Sequence, residues 1–191
     1  GDEMNLHSPQ TEEARAEAMV LLNVNNNIIS SKNNMNLVGT IADSITGAYL
    51  LGQDNITKEE ADQILYLSNV INSSKTKNID GKDVFAQVIP KGSSIKVHST
   101  ITGSNSFGSE DGEMVKIIDK EYGREAAVDS INKAFILGAI YLSRRGYTLS
   151  VQDLNVSEKV KKMTDMVVVD AEKKSEKIIE VYNSGILTPL P

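Results

Sequence analysis

Apolar and polar residues follow a helical period along most of this chain. Spacings of three and four between apolar positions predict helices within residues 8–22, 37–52, 55–71, 82–90, 112–145 and 157–184. Gly123 is expected to interrupt the fifth of these regions. Residues 94–101 alternate instead, and this period of two predicts a half-buried strand. The pattern therefore predicts an α+β fold that is predominantly helical, with a small β component.

Residues that favour helix ends mark where two of these helices begin. Ser8 or Thr11 is expected to cap the first helix, with Pro9 at its first position. Thr57 and Glu60 have the spacing of a capping box, in which each side chain binds the backbone N–H of the other residue. The chain thus predicts two well-defined helix starts before residue 60.

Apolar stripes on two predicted helices indicate which faces turn toward a core. Ile41, Ile45 and Ala48 share one side of the second helix. On the third helix the stripe consists of Ala61, Ile64, Leu65 and Ser68. These positions are expected to be buried.

The last predicted helix, 157–184, is long, and little of the chain remains to cover its apolar stripe. The stripe runs through Val160, Met163, Val167, Ala171, Ser175, Ile178 and Tyr182. Lysines and acidic residues interleave elsewhere on this helix, which is typical of a solvated face. We expect the isolated chain to pair this helix with a second copy, or to leave it poorly ordered past about residue 170. The boundary between a compact part, 1–145, and the part with the long helix, 146–191, is expected within residues 146–155.

Composition excludes several kinds of site. The 191 residues include no cysteine, so the chain has no disulfide and no thiolate-bound metal. No run approaches the roughly 18 apolar residues of a membrane span, and no signal-peptide pattern occurs. The net charge of −6 lacks the basic excess of a free-standing nucleic-acid binder. His7 and His98 have no second ligand at a useful spacing, which favours a structural or solvated role for both.

The first ten residues, GDEMNLHSPQ, resemble the segment that follows the catalytic centre in the largest subunit of multisubunit DNA-dependent RNA polymerases. That family's signature, N-A-D-F-D-G-D-x-M, continues to L-H-x-P-Q in archaeal and eukaryotic members, and Gly1 and Asp2 stand at its final Gly-Asp. Residues 27–51 are similar to the family's N-I-L-S-P-x-N-x-x-x-x-G-x-x-Q-D-x-x-x-G-x-x-x-L. Residues 120–127, residues 141–154 and the long helix look like the passage from the pore domain into the funnel. The likeness covers essentially the whole chain and is nearest to the archaeal A-prime type.

Several positions depart from the family pattern. Ser31 stands where the family usually has proline, and Ala42 where it usually has glutamine. Between the predicted strand and Ser106 the family carries a longer excursion, where this chain has only the residues TGSN, Thr102–Asn105. A natural shortening and an engineered deletion are both compatible with this short loop, so the excursion's role is not carried over.

The resemblance implies a part of DNA-directed RNA polymerase, a nucleotidyltransferase. Residues 1–145 are expected to form the pore domain and 146–191 the start of the funnel domain. Asp2 is expected to be the third aspartate of the family's Mg²⁺ site, but only in the full subunit, because the other two aspartates would precede Gly1. The chain alone is expected to be inactive and to bind no cofactor. A single exposed carboxylate is a poor ligand for Mg²⁺, because the ion gives up its bound waters reluctantly.

The resemblance also implies partners and a location. These are the other polymerase subunits, the DNA template, the RNA 3′ end, nucleotides and a transcript-cleavage factor at the funnel, in the cytoplasm and without a membrane. The alternative hypothesis is a stand-alone, non-catalytic helical binding or scaffold module whose long helix docks a partner. Coding sequence for N-A-D-F-D in frame upstream of Gly1 would favour the polymerase hypothesis over this alternative.

Overall fold

The computed structural model of the chain describes residues 3–97 and 101–185. Over these residues the α-helices are α1 (Glu12–Val20), α2 (Asp43–Leu51), α3 (Lys58–Leu67), α4 (Gly81–Phe85), α5 (Ser104–Phe107), α6 (Glu113–Tyr122), α7 (Arg124–Arg145) and α8 (Glu158–Asn183). Two strands, β1 (Asn55–Thr57) and β2 (Asn78–Asp80), form a small sheet. The predominantly helical α+β fold predicted from the sequence is confirmed. The chain divides into two compact units, Gly1–Gly146 and Tyr147–Pro191.

Helix α7 organises the core of the first unit. It buries one side against α2, and α3 and α6 pack on it as well. The crossing with α2 is close enough to require glycines, because a Cβ on Gly47 would lie 1.9 Å from the carbonyl oxygen of Gly138. Phe85 and Phe107 complete the core with an edge-to-face contact between ring centroids 5.9 Å apart. The core therefore joins elements from residue 28 to residue 141.

The sheet is a two-stranded antiparallel pair that the sequence pattern did not predict. Ile56 lies opposite Ile79, and both side chains are buried. Each strand has three residues, with one apolar position flanked by polar ones. Such a short segment shows too few alternations to stand out from a loop. The pairing is found in the structure because the two isoleucines share the core.

The strand predicted over residues 94–101 is wrong in its described part. Residues 95–97 belong to no regular element, and Val97 is about half exposed. The backbone N–H groups here donate to side chains and not to a neighbouring strand. Ser94 N–H donates to the Glu121 carboxylate, and Ile95 N–H donates to the hydroxyl of Ser93. The rest of the predicted strand includes residues 98–100, which lie outside the described residues.

Two predicted helices begin later than expected. Thr11 caps α1, since its hydroxyl accepts from Ala14 N–H at 3.2 Å, and Pro9 therefore precedes the helix. Helix α2 begins at Asp43, so Ile41 lies outside it and is exposed, contrary to prediction. The hydroxyl of Ser44 accepts from Ile41 N–H and donates to Ile41 O, and this turn holds Ile41 off the helix.

Other predicted features are confirmed. The hydroxyl of Thr57 accepts from Glu60 N–H at 3.3 Å, which is the first half of the expected capping box. The predicted stripe on α3 is buried, including Ser68, whose hydroxyl donates to Ile64 O. The helical region 112–145 is broken at Gly123, where φ is +87°.

The second unit consists of a short capped turn followed by α8. The Asp153 carboxylate accepts from the N–H and the hydroxyl of Ser150, and these bonds lower the pKa of Asp153. Helix α8 continues unbroken to Asn183, and every described residue in it is exposed. Its surface ion pairs, including Lys174–Asp170 at 2.7 Å, follow the helical spacing expected for a solvated face. No helix in the described ranges is long and apolar enough to cross a membrane.

The exposed stripe of α8 is expected to make the isolated chain self-associate. Val167 and Ile178 lie on the stripe and expose 68% and 62% of their surface. A solvent-exposed apolar stripe of this length is stabilised by a second helix. We expect light scattering to show a dimer at micromolar concentration, and Val167→Asp to shift it to monomer.

Val169→Asp serves as the matched control, because Val169 lies on α8 but off the stripe and is also exposed. It should leave the dimer unchanged. A wild-type chain that is already monomeric, with Val167 and Ile178 protected from modification, would show that the stripe finds its cover within one copy.

Candidate functional site

Asp2, to which the resemblance assigns a magnesium ligand, lies outside the described residues. The segment that follows it, residues 3–10, has no regular structure and is almost fully exposed. Met4 and Leu6 both extend their side chains into solvent. His7 is exposed as well, as the solvated role predicts, and His98 lies outside the described residues. The structure thus shows an open segment, residues 3–10, leading into α1.

The described residues do not form a magnesium centre of their own. Within these ranges no three residues among histidine, aspartate and glutamate lie close enough together to hold a metal ion. Mg²⁺ binds through several oxygen ligands and gives up its waters reluctantly. The expectation of a magnesium site therefore rests on Asp2 and the family resemblance.

The TGSN segment, which was predicted as a loop, runs into α5 at Ser104, and the chain around α5 is held by residues 36–40. Asn36 exchanges two backbone hydrogen bonds with Glu110, and Thr40 N–H donates to Phe107 O at 2.7 Å. The side-chain amide of Asn36 donates to Gly112 O at 2.6 Å, while its buried Oδ1 has no hydrogen-bond partner among the residues that the structure describes. Gly39 permits this approach, because a Cβ there would lie 2.4 Å from the backbone of Gly108. These contacts hold residues 107–112, which follow the TGSN segment, in one backbone conformation.

A cleft of about 600 Å³ lies beside this loop. It is lined by Ser94, Ile95, Lys96, Asn105, Ser106, Asp111, Glu113, Met114 and Ile117. Its walls mix one lysine with two carboxylates and apolar side chains, a combination that selects no single class of ligand. The cleft's lining comes from both sides of the short TGSN segment, so the family's longer excursion would alter it.

Glu121 holds one wall of the cleft in place. Its carboxylate accepts from the hydroxyl of Ser93 at 2.9 Å, from Ser94 N–H, and from the hydroxyl of Ser94. The bonds from Ser94 and then from Ser93 lower the pKa of Glu121. Next to it, the Tyr122 hydroxyl donates to Lys91 O at 3.1 Å. The end of α6 therefore pins the loop 91–95.

Asp54 joins the loop after α2 to the last turn of α7. Its Oδ2 accepts from the Tyr141 hydroxyl at 2.5 Å and from Arg145 Nε at 2.7 Å. The hydrogen bond from Tyr141 is the main cause that lowers the pKa of Asp54, and Arg145 adds to it against the effect of burial. Burial and the Asp54 carboxylate raise the pKa of Tyr141. At the end of the first unit, the neutral phenol of Tyr141 therefore donates a hydrogen bond to the ionised carboxylate of Asp54.

The Tyr141 cluster is expected to make the stability fall in alkali. The pKa of Tyr141 is higher in the folded protein than in the unfolded chain, where it is about 10. The protonated phenol therefore contributes fully to the free energy of unfolding below about pH 10, and this contribution is lost as the pH rises through the pKa of the folded protein. Tyr141→Phe should cost about 1 kcal/mol at pH 7 by removing one hydrogen bond, and should flatten this alkaline decline. Urea denaturation at several pH values measures both effects.

Tyr66→Phe is the control, since Tyr66 is 79% exposed. If the free energy of unfolding falls equally steeply in alkali for the wild type and Tyr141→Phe, Tyr141 is not the cause of the alkaline loss of stability.

Sequence patterns do not single out Asn36 or Asp54. Tyr141 lies 87 residues after Asp54, and Gly112 lies 76 residues after Asn36, so these contacts have no local spacing. The one local signal is a polar residue between apolar neighbours, as for Asn36 between Met35 and Leu37. That signal predicts burial of a polar group but not its partner.

Comparison with known proteins places the chain in one family. Residues 27–154 match the family model RNA polymerase Rpb1, domain 3. Over the whole chain it is 32% identical to the DNA-directed RNA polymerase subunit Rpo1N of Methanocaldococcus jannaschii and 31% identical to that of Halobacterium salinarum. It is 27% identical to the DNA-directed RNA polymerase III subunit RPC1 of Debaryomyces hansenii. The chain spans 17%, 22% and 16% of the lengths of these three relatives.

The alignment with the Methanocaldococcus subunit extends over 228 positions, more than the 191 residues of this chain. The relative therefore has residues for which this chain has no counterpart, as expected if the chain is shortened. Because the family model matches well over half of the chain, and similarity to the polymerase subunits runs along all of it, the chain belongs to the RNA polymerase Rpb1 family, and its residues 27–154 correspond to domain 3 of that family.

Proposed function

We propose that this chain forms part of the wall of the channel that leads to the magnesium site of DNA-directed RNA polymerase. Nucleotides enter through this channel, and the RNA 3′ end is extruded through it on backtracking. In this proposal residues 1–145 are the pore domain and residues 146–191 begin the funnel domain. The observation that carries the proposal is the match to Rpb1 domain 3 together with similarity to Rpo1N subunits along the entire chain.

The fold of the first unit suits a wall. Its core is closely packed where α2 crosses α7, and two surface loops are fixed by side chains, one by Asn36 and one by Glu121. A rigid support keeps a channel at constant width, because closely packed helices deform little. The net charge of −6 is consistent with a wall that does not itself grip nucleic acid.

The proposed magnesium site lies at the start of this wall. Bound at this site, Mg²⁺ would supply the positive charge that activates a 3′-hydroxyl nucleophile and stabilises departing pyrophosphate. Asp2 is proposed as one carboxylate of that site, which requires two further aspartates outside this chain. The chain's own described residues would support and shape the approach to the site, and the chain alone would be inactive.

The proposal includes partners and a location. The other polymerase subunits, the DNA template, the RNA 3′ end and nucleotides are the expected partners in the cytoplasm. Helix α8 would pack against a second, antiparallel funnel helix, and a transcript-cleavage factor would enter at this end. Similarity along the whole chain to polymerase subunits disfavours the alternative of a stand-alone scaffold module.

Photo-crosslinking from the RNA 3′ end tests the proposal. A 4-thiouridine at the 3′ end of the transcript is placed in an assembled polymerase that is held either in the extension register or backtracked by several nucleotides. The expected result is a crosslink to this chain that increases on backtracking, because the extruded end lies in the channel. Backtracked complexes that crosslink elsewhere, with none to this chain, would refute a channel-wall role.

A further inference from the structure

An exposed apolar ridge lies at the end of α1. It comprises residues Met19–Val24, and its apolar members are Met19, Val20, Leu21, Leu22 and Val24. Each of these five side chains exposes between 63% and 69% of its surface, and α1 itself has no buried residue. Single exposed apolar residues are common, but five within six positions form a patch of the kind that marks an interaction site.

The Met19–Val24 ridge is held rigidly. The Asn26 side-chain amide donates to Val20 O at 2.9 Å, and that of Asn27 donates to Leu21 O at 2.8 Å. Arg124 of α7 in turn donates to Asn26 O at 2.7 Å while its Nε binds Asp119 at 2.6 Å. The backbone of the ridge is thus tied to the core helix α7. Side chains on a support that is already ordered lose less entropy when they dock.

Acidic side chains lead into the ridge along one face of α1. Glu13 and Glu17 precede Val20 by seven and three residues, which places them on the same side of the helix. Both are exposed, and among the described residues neither carboxylate makes an ion pair or a hydrogen bond. A matching surface would therefore present basic groups beside an apolar groove.

We propose that the Met19–Val24 ridge docks another subunit of the polymerase, through an apolar groove on that subunit bordered by lysine or arginine. This inference rests on the proposed function, which supplies the polymerase as the assembly. A second copy of this chain suits the ridge poorly, because the carboxylates of Glu13 and Glu17 would be repeated on both copies beside the ridge, with no basic group to match them.

Hydroxyl-radical footprinting locates the occupant. Oxidation of Met19 and Leu22 is measured by mass spectrometry in the isolated chain, in the largest subunit that carries this chain, and in the assembled polymerase. We expect fast oxidation in the first two states and at least a roughly tenfold decrease on assembly, as for side chains that become buried. Protection in the largest subunit alone would overturn the proposal, because its own residues would then cover the ridge. Protection in the isolated chain that rises with its concentration would assign the ridge to a second copy.

Substitutions test the energetics of the ridge. Leu21→Asp combined with Leu22→Asp should weaken subunit assembly by roughly 100-fold, since two leucines lose their burial. Tyr66→Asp, at another exposed apolar position, should change assembly less than about twofold. Glu17→Gln should reduce the salt dependence of assembly, because the proposed partner is basic. Assembly of the double variant at the wild-type affinity would overturn the proposal.

The test also separates this inference from the proposed function. If the ridge is not an interface, the wild-type subunit still assembles and the transcript 3′ end still crosslinks to this chain, while the double variant assembles normally. If the proposed function fails, the crosslink is absent even with the wild-type chain. Asn26→Ala adds a readout of rigidity, because it leaves all five apolar side chains in place and is expected to weaken assembly by severalfold.

Discussion

Replacing Gly138 by alanine is expected to destabilise the protein by about 3 kcal/mol or more. A Cβ at this position would lie 2.1 Å from the carbonyl oxygen of Ser44, which no side-chain rotation relieves because the neighbour is backbone. The opposite helix has the same constraint at Gly47, so α2 would have to move away from α7. That movement would open the centre of the core, where Ala134 and Leu137 are fully buried.

Urea denaturation of the wild type and of two variants measures this effect. Gly146→Ala is the matched control, because a Cβ at Gly146 meets no atom within 4 Å but φ is +75°. Its cost should be about 1–3 kcal/mol, from backbone strain alone. A Gly138→Ala variant no less stable than Gly146→Ala would show that the two helices do not approach as closely as described.

Replacing Asp2 by alanine is expected to abolish RNA extension and transcript cleavage in the assembled polymerase. The proposal makes Asp2 a carboxylate of the magnesium site that both reactions share. Loss of a group that stabilises charge in the transition state lowers rates by on the order of 100- to 1,000-fold, and loss of the metal lowers them further. Primer-extension and cleavage assays on the same preparation measure both reactions, and gel filtration checks that the subunits still assemble.

Glu3→Ala is the control for this substitution. Glu3 is the neighbouring acid, it is exposed, and it falls at the variable position of the family signature. Extension by Glu3→Ala should remain within a fewfold of wild type. If Asp2→Ala also extends RNA at close to the wild-type rate, the assignment carried over to Asp2 is wrong.

The sequence predicted the helices well where many residues contribute to one period. Helices α3, α6, α7 and α8 were anticipated because each shows several turns of regular spacing or a clear glycine break. The errors occurred where one side chain decides the backbone path. Ser44 keeps Ile41 off α2, and Glu121 binds the segment predicted as a strand, and neither contact follows from periodicity. The strands β1 and β2 were missed because each has a single buried residue.

The candidate site was predictable only through resemblance. The motif around Asp2 carries a family assignment that no spacing rule supplies, and the comparisons confirm the family but do not test the role of Asp2. The clusters at Asn36 and Asp54 depend on contacts between residues far apart in the chain. The rigid support of the Met19–Val24 ridge likewise depends on Arg124, 98 residues after Asn26. Such contacts follow from the fold and not from local pattern.

We propose that residues 3–10 lie beside the magnesium site and that this chain forms part of the wall of the channel leading to it. Replacement of the active-site Mg²⁺ by Fe²⁺ in the assembled polymerase, followed by peroxide, generates hydroxyl radicals that cut only the polypeptide near the metal. We expect cleavage of the polypeptide within residues 3–10 and none in the second half of α8. The cleavage within residues 3–10 should be lost in the Asp2→Ala variant. Cleavage of this chain confined to α8, or cuts at residues 3–10 that persist unchanged in Asp2→Ala, would contradict it.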